Sequence, residues 1–100
     1  MSDLEDMDVS AAIPPQNYSA PLKTLWWLKK GNLQLGPEWD LAHEICQSAE
    51  GEADHDWIHA LCHLIEGDHG NAAYWFGRAG KPSRNGDPAA VWKEIADALT

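Results

Sequence analysis

Residues 57–82, WIHALCHLIEGDHGNAAYWFGRAGKP, are the stretch that decides the fold. The first half places apolar residues at the spacing of a core-facing helix: Trp57, Ile58, Leu61, Leu64 and Ile65. Gly67 interrupts that pattern, and Asp68 is a residue type that caps the start of a following helix. The second half carries alanines and large aromatic rings and stops at Gly80, with Pro82 just beyond. The stretch therefore predicts two helices folded against each other as a hairpin.

Length and charge narrow the class of protein. One hundred residues with 44% hydrophobic side chains and six tryptophans suit one domain with a packed core. The net charge of −9 argues against a nucleic-acid partner, because basic surfaces supply most of that affinity. The same charge argues against binding to an anionic membrane surface. We therefore expect neither kind of partner.

Two further features indicate the compartment. Cys46 and Cys62 lie within predicted helices without a CxxC spacing, which favours free buried thiols and leaves a disulfide or a metal ligand as alternatives. The amino terminus is acidic and has no secretory pattern, and no run approaches the roughly 20 apolar residues of a membrane span. A cytoplasmic protein is expected.

The rest of the chain divides into a tail and a helical domain. Residues 1–18 are acidic, interrupted by proline and aperiodic, which predicts a flexible tail; its scattered apolar residues leave open that it docks as a short linear motif. Residues 19–100 are expected to form a single helical domain. Ser19, Pro37 and Asp87 mark the starts of three further helices.

An internal repeat relates the two hairpins. At an offset of 36, four residues correspond to four others: Leu25, Leu28, Gly31 and Asn32 to Leu61, Leu64, Gly67 and Asp68. At an offset of 30, three more correspond: Ala42, Cys46 and Ala49 to Ala72, Phe76 and Ala79. Repeats of this length that hold two helices each are typical of helical solenoids.

The second unit resembles the tetratricopeptide pattern at five positions: Ala60, Gly67, Ala72, Phe76 and Ala79. Small residues at these places let two helices approach, and the ring locks the crossing. His59 and His63 depart from the pattern, which has leucine and tyrosine there. We expect an all-α, tetratricopeptide-like array of two helical hairpins plus a C-terminal capping helix. A generic helical bundle is the alternative.

A longer motif gives a second resemblance. Residues 22–82 look like an uncharacterised family of small all-helical proteins with a motif of the type WxHAxxHxxEGDxxNAxYWF. The matching segments are Leu25–Trp27, Ala42–Glu44, Trp57–Ala60, His63, Glu66–Asp68, Asn71–Ala72, Tyr74–Phe76 and Arg78–Gly80 with Pro82. The resemblance implies a helical fold and implies no activity.

Histidines form the main candidate site. His55, His59 and His63 recur every four residues on one predicted helix, and imidazoles at i and i+4 can bind one transition metal. Glu66 would add an oxygen ligand, and His43 would complete the shell if the second and third helices pack together. The resulting hypothesis is a three-histidine, one-carboxylate site. The alternative is a buried polar network in which His59 and His63 are neutral.

Five other residues are binding candidates: Asp68, Asn71, Tyr74, Trp75 and Arg78. Asp68 and Asn71 suit a helix cap. Arg78 suits a pair with Glu66 or Asp68, or contact with a ligand carboxylate. Tyr74 and Trp75 suit a contact surface or buried packing. No catalytic residue is assigned, because the chain lacks HExxH, GxSxG and phosphate-loop motifs.

Two functions follow as hypotheses. The first is a non-enzymatic module, without a cofactor, that binds a protein or peptide partner or itself as a homo-oligomer through a Trp-rich face. The second is a small metal-binding protein, or a metal-dependent hydrolase, that uses the histidine face to hold a divalent transition metal such as zinc.

Overall fold

The computed structural model describes residues 7–100, which form five helices and no strand. The helices are α1 (Ala20–Lys30), α2 (Pro37–Ser48), α3 (Ala53–Ile65), α4 (His69–Ala79) and α5 (Pro88–Ala98). The predicted all-α class is confirmed. No helix within the described part of the chain has the length and apolar character needed to cross a bilayer.

Three predicted caps begin their helices. Ser19 Oγ accepts a hydrogen bond from the Leu22 amide at the start of α1, and the Asp87 side chain accepts one from Ala89 at the start of α5. Asp68 does the same for α4. These bonds satisfy amide donors that the first turn of a helix leaves unpaired. Helix α3 follows Glu52 and has no side-chain cap.

The turns of the two hairpins match at a different offset from the one that the sequence suggested. After α3, Gly67 takes a left-handed φ of 82°, and the Asp68 amide donates to the His63 carbonyl at 2.9 Å. After α1, Asn32 takes the left-handed φ of 59°, and Leu33 closes the equivalent bond. Asn32 therefore corresponds to Gly67, at an offset of 35. The predicted pairing of Gly31 with Gly67 is wrong.

Helix α3 is the centre of the fold. It packs against each of the other four helices, and every residue from 55 to 62 is buried. Two indole N–H groups are satisfied inside the core: Trp39 donates to the Cys62 carbonyl and Trp92 to the Leu25 carbonyl, both at 2.9 Å. Such bonds remove the cost of burying a polar N–H.

The tryptophans do not form an exposed face. Five of the six are at most 9% exposed and belong to the core: Trp26, Trp39, Trp57, Trp75 and Trp92. The Trp-rich docking surface that the composition suggested is therefore used for packing within the chain.

Helix α5 does not extend the array beyond the second hairpin. In a solenoid each unit stacks on its neighbour, so a terminal cap would lie on the last hairpin. Within residues 7–100, α5 instead packs against α3 and α1, and no Cα atom of α5 lies within 8 Å of one in α4. It closes the side of the domain formed by the first helices of the two hairpins.

Part of the predicted flexible tail is packed. Residues 1–6 lie outside the described residues. Met7 is 6% exposed within the core cluster, and Val9 packs against that cluster. The Trp26 indole donates to the Asp8 carbonyl at 3.0 Å. The packed domain therefore begins before Ser19, because Met7 and Val9 supply apolar side chains to the core.

A pair of glycine substitutions tests the assigned backbone conformations. Gly67→Ala should destabilise the protein by about 1 kcal/mol, because an L-residue is strained at a φ of 82° even though a Cβ there meets no atom. Gly77→Ala, in the interior of α4 and equally unobstructed, should stabilise it by roughly 0.5–1 kcal/mol. Urea unfolding of both variants measures the sign of each change in the free energy of unfolding. The same sign for both would contradict the assigned turn.

Candidate metal centre

Three histidines from two helices converge on one point. His43 comes from α2, and His59 and His63 lie one turn apart on α3. One ring nitrogen from each lies within 4.8 Å of the others. His55, the remaining member of the predicted histidine ladder, is separate from this trio, with its Nδ1 3.3 Å from Glu52 Oε1. The packing of α2 on α3 thus assembles three of the four predicted metal ligands.

The shortest contact in the trio joins two like atoms. His59 Nε2 lies 3.1 Å from His43 Nε2. Two nitrogens bound to one tetrahedral zinc at about 2.0–2.1 Å would be roughly 3.3 Å apart, so the observed spacing is close to that of two ligands. Without an ion, one ring must donate to the other. His59 Nδ1 is then a buried ring nitrogen without a partner among the described residues.

Glu66 orients His63 and does not join the trio directly. Its Oε1 is hydrogen-bonded to His63 Nδ1. A proton held at Nδ1 leaves the lone pair on Nε2, which is the form of imidazole that binds a metal. Glu66 was expected as a fourth ligand. Within the group of His43, His59 and His63, this contact places Glu66 as a carboxylate behind a ligand. Glu66 also lies with His63 and Asp68 in a second group whose possible ligand atoms are within 4.8 Å of one another.

Two indole rings enclose the trio. Trp75 stacks on His59 with centroids 4.0 Å apart, and Trp39 stacks on His43 at 4.7 Å. His59 is 2% exposed, whereas His43 and His63 are partly exposed. The rings therefore hold the buried imidazole rigidly, and the trio reaches solvent on the side of His43 and His63.

Two of the three histidines, His43 and His59, are held toward the neutral form that a metal requires. Burial, with further repulsion from His43 and His63, lowers the pKa of His59 to about 3. Burial also lowers the pKa of His43, followed by the effect of His63, while Glu66, Asp40 and Glu50 oppose that shift. Those carboxylates place negative potential at His43 without reversing the lowering of its pKa. The field favours a cation over an additional proton.

The two thiols lie outside this ligand set. Cys46 and Cys62 are both buried, and neither belongs to a metal-ligand group among the described residues. Burial, together with the hydrogen bond to Cys46, raises the pKa of the Cys62 thiol well above its usual value. A protonated thiol is a poor ligand, so nitrogen donors dominate the site.

The other predicted binding residues have different roles. Asp68 accepts from both the amide and the side chain of Asn71, at 3.2 and 2.6 Å, and this completes the cap of α4. Arg78 donates to the Tyr74 hydroxyl at 3.0 Å and lies over the Trp75 ring, in place of the predicted pair with Glu66 or Asp68. Tyr74 is 54% exposed, as a contact surface requires, but Trp75 is buried.

The sequence analysis did not identify Trp39 as a residue of the site. Trp39 stands four positions before His43 on α2, which places the indole directly against the imidazole. That i, i+4 spacing was a usable signal.

Comparisons of the chain with protein-family models, with curated proteins and with solved structures give no match. The assignment of this site therefore depends on its geometry and chemistry.

The depressed pKa of His59 makes stability depend on pH. The unfolded chain takes up a proton at His59 near pH 6.5, whereas the folded chain resists it down to about pH 3. Stability should therefore be complete above pH 6.5 and fall as the pH drops, by about 2 kcal/mol at pH 5. Urea unfolding between pH 5 and 7 measures this slope. His59→Phe, which keeps a ring on Trp75 but cannot titrate, should flatten it; an unchanged slope would refute the assignment.

Proposed function

We propose that this chain is a small metal-binding protein that holds one divalent transition metal through His43, His59 and His63. The observation that carries the proposal is the convergence of these three imidazoles within 4.8 Å. The hydrogen bond from His63 to Glu66 supports it, because ligating histidines commonly give their second nitrogen to a carboxylate.

The donor set selects the class of metal. Imidazole nitrogen suits Zn²⁺, Cu²⁺ and Ni²⁺, whereas Mg²⁺ and Ca²⁺ prefer shells of oxygen. Three protein ligands leave one position of a tetrahedral ion to water or another small ligand, as in catalytic zinc sites. That position is the feature a hydrolase would use. The proposal is limited to metal binding. Glu66 is hydrogen-bonded to His63, and the described contacts identify no other side chain with a role in a reaction.

We keep the hypothesis of a protein- or peptide-binding module as the second candidate function. The burial of five tryptophans removes the surface on which it depended, so we place metal binding first.

We also retain the tetratricopeptide-like relation of the two hairpins as a proposal. Two observations support it. The turns after α1 and α3 each have a left-handed residue at the matching position, Asn32 and Gly67, followed by the equivalent backbone bond. Small residues such as Ala42 and Ala72 are buried in the second helices.

Removing a ligand should abolish tight binding. Isothermal titration of the full chain with Zn²⁺ at pH 7.5 should give one site per chain. His59→Ala should weaken it by more than the roughly 10–100-fold expected from loss of a second-shell group. His69→Ala is the matched control, because His69 is an exposed histidine of α4 outside the trio. Equal affinities for the two variants would contradict the proposal.

Stability gives an independent readout of the same site. Free Zn²⁺ at about 100 times the dissociation constant should raise the free energy of unfolding by about 2.7 kcal/mol in the wild type and in His69→Ala. His59→Ala should show no such gain. A chelator should reverse the effect.

The orienting role of Glu66 predicts an intermediate effect. Glu66→Gln should weaken Zn²⁺ binding by about 10–100-fold, because the carboxylate that fixes the His63 tautomer is lost. Glu44→Gln is the control: it removes the same charge from an exposed residue next to His43. If both variants bind equally well, Glu66 acts through charge alone, and the assigned hydrogen bond has no role.

A further inference from the structure

The turn between α3 and α4 brings two carboxylates against one histidine of the trio. His63 lies in the last turn of α3, Glu66 follows that helix, and Asp68 caps α4. Gly67 separates the two acidic residues with its left-handed φ of 82°, and the Asp68 amide donates to the His63 carbonyl at 2.9 Å. One possible ligand atom from each of His63, Glu66 and Asp68 lies within 4.8 Å of the others. We call these three residues the turn cluster.

The turn cluster and the trio have His63 in common and use different nitrogens of its ring. Glu66 Oε1 is hydrogen-bonded to His63 Nδ1, which leaves Nε2 for an ion held with His43 and His59. The two nitrogens of an imidazole point in different directions. A ring that gives up its N–H proton can therefore bind one metal ion at each nitrogen.

The carboxylates of the turn cluster are placed to attract a cation. Glu66 and Asp68 bring like charges close together, and a cation between them removes their repulsion. The Asn71 amide and side chain donate to the Asp68 carboxylate at 3.2 and 2.6 Å, and these bonds hold it in one orientation. Each carboxylate oxygen has two lone pairs, so acceptor positions remain on both oxygens. The side chains of His63 and Glu66 are 12% and 28% exposed, so an ion can enter from solvent.

We propose that the turn cluster is a second cation site, which binds a divalent transition metal through His63 Nδ1, Glu66 and Asp68, and that the His63 ring bridges this ion to the one in the trio. The inference rests on the proposed function, because a bridge needs an ion at both nitrogens. The second ion replaces the Nδ1 proton, which passes to solvent, and the electron pair left on Nδ1 forms the new bond. This ion therefore binds after the first and more weakly, so the one tight zinc site remains the trio. One nitrogen and two carboxylates suit Zn²⁺ or Cu²⁺.

Titration of the full chain with Cu²⁺ at pH 7.5, followed by electron paramagnetic resonance of frozen samples, tests for the bridge. The first equivalent should give the spectrum of one isolated ion with nitrogen ligands. The second should reduce the integrated signal, because two unpaired spins joined through one imidazolate couple antiferromagnetically. A second equivalent that only adds an uncoupled signal would overturn the inference and leave the proposed function intact. A first equivalent without nitrogen ligands would contradict the proposed function and the bridge together.

Asp68→Asn separates the turn cluster from the trio. Asparagine caps a helix as well as aspartate does, but it lacks the negative charge that attracts a cation. This variant should keep the spectrum of the first ion and lose the coupling to the second. Asp87→Asn makes the same change at the cap of α5 and should couple as the wild type does. Coupling that persists in Asp68→Asn would overturn the assignment. Should Asp68→Asn fail to fold, Asp68→Ser, which also keeps a good cap, replaces it with the same two outcomes.

Discussion

Helix α3 is covered by the other four helices, and the polar side chains on it must find partners inside the protein. Residues 55–62 are all buried, yet they include His55, Asp56 and His59. Burying an unpaired polar group costs free energy comparable to a lost hydrogen bond. Asp56 meets this constraint through the Gly51 amide. His59 meets it in part, through one nitrogen against His43, and this contact joins α3 to α2 at the site.

The aromatic rings around His59 decide what the imidazoles can do. Stacking on Trp75 removes water from His59, and that burial is the main cause of its lowered pKa. Carboxylates near His43 then place negative potential at the site, which favours a cation, while burial keeps the pKa values of His43 and His59 low. The thiols, which are softer ligands, remain buried, and burial raises the pKa of the Cys62 thiol. The same packing that stabilises the fold therefore positions the nitrogen donors of the proposed metal site.

The fold was readable from the sequence where local physics decides it. Periodicity gave the helices, and Ser19, Asp68 and Asp87 gave their starts, because caps act within one turn. The offset of the hairpins was misjudged because asparagine also adopts left-handed φ, so the glycine at position 31 was a misleading marker. The docking of Met7 and Val9 was not predicted, since two apolar residues in an acidic segment form too short a pattern to identify packing.

The sequence predicted only part of the site, because residue spacing encodes local geometry and not tertiary packing. His59 and His63 share a helix, and their spacing alone places them together. The contribution of His43 depends on how α2 packs against α3, which the spacing of residues on either helix does not encode. The role of Glu66 depends on which nitrogen of His63 it contacts, a detail of three-dimensional geometry. Spacing thus identified the participants, and tertiary packing assigned their roles.

X-ray absorption at the zinc edge of the zinc-loaded full chain tests this account most directly. Three imidazoles and one light atom should give nitrogen or oxygen scatterers at about 2.0–2.1 Å, with the outer-shell pattern of histidine rings. A sulfur shell at about 2.3 Å, or a shell of oxygens alone, would contradict the assignment of His43, His59 and His63 as the ligands.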